Sequence, residues 1–147
     1  MKKLKCFIAL LAFIFTMSSV IGQNWIQNYD EAQQKSKVEQ KNLLINFSGS
    51  DWCVPCIKMK KNIFANADFV DYSNQNLVLY NADFPRSKKK QPTKQIVEIN
   101  KQLAEKYNTK GSFPFTILLS SDGKILKSWE GYANASVQKF VSELTQL

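Results

Sequence analysis

The short apolar run Leu43-Leu44-Ile45-Asn46-Phe47 is followed, after one loop, by two thiols two residues apart in Trp52-Cys53-Val54-Pro55-Cys56. Few folds accommodate that order. The apolar run suits a buried strand, and Cys56, Met59 and Ile63 then recur at helical spacing, with Lys58, Lys60 and Lys61 left for solvent. A strand, a tight loop and a helix opening near Cys53 would set that thiol against the unpaired N–H groups of a helix start, which favour a thiolate. A free cysteine titrates near ~8.5, and such settings lower this to about 3.5–7.5. Cys53 is therefore the candidate nucleophile, and Cys56, one turn inward, the thiol that attacks second and releases a mixed disulfide.

Other uses of paired cysteines fit less well. A structural zinc site wants four Cys or His ligands, and this chain has no histidine and three cysteines. Haem attachment needs histidine directly after the second cysteine, where Ile57 stands. No metal or other cofactor is expected. Met59 fits the buried helical stripe and reads as core. A static disulfide in an exported protein is an alternative that spacing alone does not remove.

Export follows from the N-terminus. Lys2, Lys3 and Lys5 precede an apolar run over residues 7–17, and Val20-Ile21-Gly22 leads into Gln23, so residues 1–22 read as a secretory signal peptide. The run is shorter than the ~20 residues of a spanning helix; an uncleaved membrane anchor is the alternative. Cys6 lies ahead of the apolar run and would leave with the signal, so the mature chain, residues 23–147, keeps only Cys53 and Cys56. Cleavage lowers the formal charge from +8 to +5, because Lys2, Lys3 and Lys5 are lost and no acidic residue is.

Arg86, Lys88, Lys89, Lys90 and Lys94 carry much of the remaining positive charge between Pro85 and Pro92 or just beyond. The segment reads as an exposed loop, with a docking patch for an acidic partner as the sharper alternative. Nucleic-acid binding would need a wider basic face with base-reading or stacking residues, and no such partner is expected.

Along the rest of the mature chain, residues 29–40 suggest a polar surface helix, and Asn66 or Asp68 opens a short helix through Tyr72. Leu77-Val78-Leu79-Tyr80 is a second strand, and Ile96, Ile99, Leu103 and Tyr107 mark a helix that stops before Gly111. Residues 115–119 and 124–129 form an antiparallel hairpin around Asp122-Gly123. Val137, Phe140, Val141 and Leu144 line a terminal helix capped by Asn134 or Ser136.

This order resembles the thioredoxin family over residues 25–147. Three features carry the resemblance: the Cys-X-X-Cys segment after an apolar strand, Gly111-Ser112-Phe113-Pro114-Phe115 before the hairpin, and Gly131 after the last strand. The approach Gly49-Ser50-Asp51-Trp52-Cys53 is similar to that of exported bacterial thioredoxin-like proteins. The resemblance implies an α/β thioredoxin-like fold, a central mixed sheet flanked by helices with a C-terminal β-hairpin followed by a helix. It implies that Cys53 attacks and Cys56 resolves. It makes Trp52 an aromatic wall and gives Pro114 a cis peptide bond facing the disulfide. Trp52, Val54, Pro55, Phe113 and Pro114 become the substrate-binding set. Before proline a cis bond costs only about 0.5–1 kcal/mol, against roughly 2.5–4 elsewhere. Phe113 would then offer its backbone to an extended substrate as an added strand.

Two departures stand out. Where family members often carry a buried Asp beneath the disulfide, this chain has Asn46, which is no base, so Asp51, water or no dedicated group handles the proton of Cys56, with less efficient activation of that thiol expected. Strong disulfide donors of this fold tend to have histidine between the cysteines, and Val54-Pro55 instead points toward the reducing side. The expected activity is thiol:disulfide exchange, reducing exported proteins with electrons from a membrane-bound reductase. A disulfide oxidase or isomerase, or a non-catalytic binding module with a static disulfide, are the alternatives.

Overall fold

The computed structural model describes residues 24–132 and 136–147. The strands among them are β1 (Trp25–Ile26), β2 (Asn42–Ser48), β3 (Leu77–Asp83), β4 (Phe115–Leu119) and β5 (Ile125–Glu130). The α-helices are α1 (Tyr29–Glu39), α2 (Val54–Met59), α3 (Ala67–Asn76), α4 (Lys94–Tyr107) and α5 (Val137–Thr145). The sheet runs β1-β3-β2-β4-β5, with β3 parallel to β1 and β2, and β4 antiparallel to both β2 and β5. This is the expected mixed sheet with a terminal hairpin and helix. The strand β1 was not expected, because two residues carry no readable period.

Side chains alternate across the central strands and divide the core in two. Leu43, Ile45 and Phe47 of β2 join Val78 and Tyr80 of β3 in one cluster, against Ala32 of α1 and Leu103 of α4. Leu44 and Leu79 face the other way, into a cluster with Met59, Phe69 and Phe140 from the α2, α3 and α5 side. The same alternation places Asn46 on the α2 side of the sheet, two positions beyond Leu44 and level with Asn81 and Thr116. Asn46 thus lies in the layer nearest the cysteine-bearing helix.

Local chemistry explains the boundaries. Asn28, Asn66, Thr93 and Ser136 each accept a backbone N–H at the start of a helix, respectively α1, α3, α4 and α5. Asn134, the other proposed cap for α5, lies outside the described residues, as does the signal segment of residues 1–22. Helix α3 continues past Tyr72 to Asn76, because Phe69 and Ser73 keep one face buried through a polar stretch. After α2 the chain makes a π-helical turn, Lys60–Phe64, whose extra residue lets neighbouring Ile63 and Phe64 both point inward. The β4–β5 turn uses Asp122-Gly123 as foreseen, but only Gly123 has positive φ, so it is not the two-residue turn that needs both centres there. No helix among the described residues is long and apolar enough to cross a membrane.

Candidate active site

The loop between β2 and α2 is shaped by one close approach. An ideal Cβ on Gly49 would stand 2.3 Å from Cε2 of Trp52, so only glycine lets the indole lie against the loop backbone. The backbone N–H groups of Trp52 and Cys53 both donate to the Gly49 carbonyl, at 3.2 and 2.9 Å. Asp83, at the end of β3, accepts from Ser50 N at 2.9 Å and from Ser50 Oγ at 2.6 Å. One carboxylate therefore holds the loop to the sheet through both its oxygens.

Cys53 is the N-cap of α2, in extended backbone conformation, and its Sγ accepts from Cys56 N at 3.2 Å. Val54 and Pro55 fill the first helical positions, where the missing proline N–H costs no helical hydrogen bond. Cys53 and Cys56 are joined in a disulfide with a Cα separation of 5.2 Å, inside the usual range for bridged pairs. Each is 4 % exposed, whereas Val54 is 60 % and Ile57 47 % exposed, so an apolar rim projects around a recessed pair of sulfurs.

Trp52 is pinned on several sides. Its Nε1 donates to the Phe84 carbonyl at 2.8 Å, and its ring meets Phe113 edge-on at 5.5 Å between centroids. The Arg86 guanidinium lies 4.4 Å from the ring centroid. Phe113 in turn packs edge-on against Phe84 at 5.5 Å. The Phe113-Pro114 bond is cis, as expected, and the Phe113–Trp52 contact brings the preceding residue beside the cysteine loop. Asn108 fixes that segment by accepting from Ser112 N at 3.0 Å and donating to Ser112 O at 2.9 Å.

Asn46 and Cys56 line one cleft of about 390 Å³, shared with Ser48, Ser50, Lys60 and Asn81 among others. Asn46 is buried; its Nδ2 donates to Asn81 Oδ1 at 2.8 Å, and Thr116 Oγ1 donates to its Oδ1 at 3.1 Å. These three side chains supply donors and acceptors but carry no charge. Asp51 turns elsewhere: its two oxygens accept Arg86 N at 2.9 Å and Ser87 N at 2.8 Å. Those backbone hydrogen bonds, aided by the nearby Lys90 ammonium, hold the Asp51 carboxyl below the usual range. It serves as the clamp for the basic segment that follows β3.

A second network reaches the site from behind. Tyr80 Oη donates to Asn100 Oδ1 at 2.6 Å, and Asn100 Nδ2 donates to the Asp83 carbonyl at 3.1 Å. Burial pushes the Tyr80 phenol up to about 12, so it remains a donor throughout the physiological range. Among the described residues no group of three or more His, Cys, Asp or Glu stands together as a metal site.

Sequence reasoning missed Asp83, Asn81 and Thr116, and it named Arg86 in the basic segment without its place on Trp52. Asn81 and Asp83 were legible in principle, since they continue the Leu77, Leu79 face of β3 by strict alternation. The stacking of Arg86 on Trp52 gave no signal, because it is a loop-to-loop contact.

These features have counterparts in known proteins. The chain is 35% identical over 100 residues to the disulfide bond reductase DsbH of Chlamydia pneumoniae, covering 68% of this chain and 58% of that one. It is 33% identical over 98 residues to the thioredoxin-related protein DsbJ of the same organism, covering 67% and 27%. The matched regions thus span 58% and 27% of the lengths of these two relatives. A solved structure described as DsbH oxidoreductase superimposes with a TM-score of 0.77 and 28% sequence identity, covering 85% of this chain and 83% of that one. A family model for the thioredoxin-like domain matches residues 29–146, from the start of α1 to the end of α5. With the cysteine-bearing helix start, the cis-proline segment and the sheet order all inside that span, the chain belongs to the thioredoxin-like family.

Proposed function

We propose that this chain is a thiol:disulfide oxidoreductase of the cell envelope that reduces disulfides in exported proteins. The observation that carries the reading is the Cys53–Cys56 bridge at the opening of α2, with the Cys56 N–H directed at Cys53 Sγ. In the reduced protein that N–H favours a Cys53 thiolate. The thiolate attacks one sulfur of a substrate disulfide; a bond to Cys53 Sγ forms, the substrate S–S bond breaks, and the departing thiolate takes up a proton. Cys56, having given up its own proton, attacks Cys53 Sγ and expels the second substrate sulfur, which is protonated in turn. Two electrons and two protons pass from the dithiol to the substrate.

The reducing direction draws on two things: the absence of histidine from the chain and the name of the relative from Chlamydia pneumoniae, a disulfide bond reductase. Turnover then requires an electron donor, for which a membrane-bound reductase is the fitting partner. Residues 1–22 would act as the export signal, leaving residues 23–147 as the working domain. Trp52, Val54, Pro55, Phe113 and Pro114 would form the substrate-binding surface.

The low exposure of both cysteines favours a second reading, a binding module with a static disulfide. Single substitutions separate the two. Cys53→Ser abolishes reduction of a protein disulfide, whereas Cys56→Ser permits one attack and accumulates covalent complexes that resolve on non-reducing gels. Equal activity of the two variants, or a native pair inert to reductant and thiol titration, refutes the oxidoreductase reading.

A further inference from the structure

The basic segment after β3 reads in the sequence as an exposed loop or a docking patch for an acidic partner, and the structure ties it to the wall of the active site. Asp51 lies two residues before the attacking cysteine and clamps the backbone of Arg86 and Ser87. Arg86 is thereby held over the indole of Trp52, the residue adjacent to Cys53. Lys88–Lys90 follow as one exposed 3₁₀ turn, with Lys90 N donating to Ser87 O at 3.0 Å. Gln91 Nε2 donates back to the Pro85 carbonyl and closes the segment on itself.

This charge is offset only in part from within, by the Asp51 carboxylate, which the Lys90 ammonium helps to hold ionised. Among the described residues no salt bridge engages Arg86, Lys88, Lys89 or Lys90. One carboxylate, that of Asp51, thus stands against the four cations of the segment, both its oxygens on backbone N–H groups, while the Asp83 oxygens are given to Ser50. Beside the sulfurs the rim is apolar, with Val54 and Ile57 exposed, and Lys58 adds a further exposed cation on α2.

We propose that this surface selects disulfides flanked by acidic residues in extended segments of exported proteins, with residues 86–90 receiving the acidic side chains while Cys53 attacks. The proposal rests on the oxidoreductase reading and names its substrate class. An extended chain advances about 3.3 Å per residue. Carboxylates a few positions from the substrate cysteine are thereby presented along the side of the site where Arg86 stacks on Trp52, the neighbour of Cys53. Steering of this kind raises encounter rates by 10-fold or more in order of magnitude and is screened by salt, the Debye length shrinking from about 8 Å at 0.15 M to about 3 Å at 1 M.

The test uses the purified, reduced protein and a mixture of three synthetic peptides. They are identical except for Glu, Gln or Lys around a single cysteine, which is blocked as a mixed disulfide with 2-mercaptoethanol. Initial rates in one mixture give internal ratios. The Glu peptide is expected to react about tenfold faster than the Gln peptide at low salt, and the Lys peptide more slowly than both. The Glu:Gln ratio is expected to fall toward unity in 1 M salt and in the triple variant Lys88→Gln, Lys89→Gln, Lys90→Gln. Equal rates for Glu and Gln peptides in the native protein overturn the docking proposal and leave the oxidoreductase reading standing. Reaction with none of the peptides overturns both. A Glu preference undiminished in the triple variant places the selecting charge elsewhere and also overturns the proposal. So does a native protein that lacks peptide preference but cosediments with vesicles of anionic phosphatidylglycerol through these lysines, since the segment would then be a membrane contact.

Discussion

Gly49→Ala asks whether Trp52 is fixed by its close approach to the loop before the cysteines. Gly49 does not have positive φ, so alanine is tolerable to the backbone and any cost must come from space. The new methyl would lie 2.3 Å from Trp52 Cε2 and 2.6 Å from both Cζ2 and Nε1. Carbon atoms at rest sit about 3.5–4.0 Å apart, so the ring must retreat by more than an ångström. That retreat breaks the 2.8 Å hydrogen bond to the Phe84 carbonyl, with a net worth of about 0.5–1.5 kcal/mol. It also disturbs the edge-on contact with Phe113, about 0.5–1.5 kcal/mol, and the Arg86 stack, about 0.5–1 kcal/mol. Against these stands a gain of about 0.4–1 kcal/mol from the reduced freedom of the unfolded chain. The expected net destabilisation is about 2 kcal/mol.

Urea unfolding of the oxidised protein measures that figure, and a double-mutant cycle tests its origin. In a Trp52→Ala background the indole is gone, and Gly49→Ala should change sign, becoming neutral or stabilising by up to about 1 kcal/mol. The same destabilisation in both backgrounds, or none in the native one, refutes the argument that the glycine exists to seat the tryptophan.

Two further outcomes follow from the buried and paired carboxyl positions. Asn46→Asp places an acid in a site 5 % exposed, where burial raises its pKa above the unfolded value near ~3.9. The variant's stability relative to the native protein is therefore greatest below pH ~4 and is lost as pH rises through the elevated folded value; urea midpoints at pH 4 and 8 show it, and the rate of Cys56 attack acquires a new pH dependence. Glu143 is held below the usual carboxyl range, first by the Trp129 indole N–H at 2.6 Å and then by Lys127 at 3.1 Å. Its stabilisation is present above its unfolded pKa near ~4.3 and lost as pH falls through the depressed folded value, so Glu143→Gln costs under about 1 kcal/mol at pH 7 and progressively less in acid, as acid titration of the urea midpoint should record.

How far the site could be read from the sequence depends on the range of each contact. Cys53, Cys56 and the helix they open were legible because spacing and amphipathic period act over a single turn. The strands β2 and β3 were legible as apolar runs, while β1 was not, since Trp25–Ile26 is defined by its pairing to Leu79 and Tyr80 alone. Asp51 was one candidate for proton transfer because Asn46 is no base, but its carboxylate is turned to the backbone of Arg86 and Ser87. No local pattern announces a partner some 35 residues away in a loop. Gly49 stood in a recognisable string, yet its physical reason, the face of Trp52, appears only when the loop is folded.

The central strands also explain why the chemistry sits at one end of the sheet. On the α2 side, Leu44 is level with Leu79 and Leu118, Asn46 with Asn81 and Thr116, and Ser48 with Asp83. Successive same-face residues are about 6.6 Å apart, so one step along the strands takes the interior from apolar to neutral polar, and a second step reaches a carboxylate. The apolar layer joins the cluster containing Met59, which fixes α2 from below. The neutral layer meets the cleft beside Cys56 with its amides paired, which avoids the desolvation penalty of an unpaired polar group and the larger one of a buried charge. The carboxylate of Asp83 is kept for the outermost step, where it holds the Ser50 loop rather than facing the resolving thiol. Neutral paired amides thus lie beneath the cysteines, and the charged groups that touch the site, Asp83 through Ser50 and Arg86 through Trp52, stand around it.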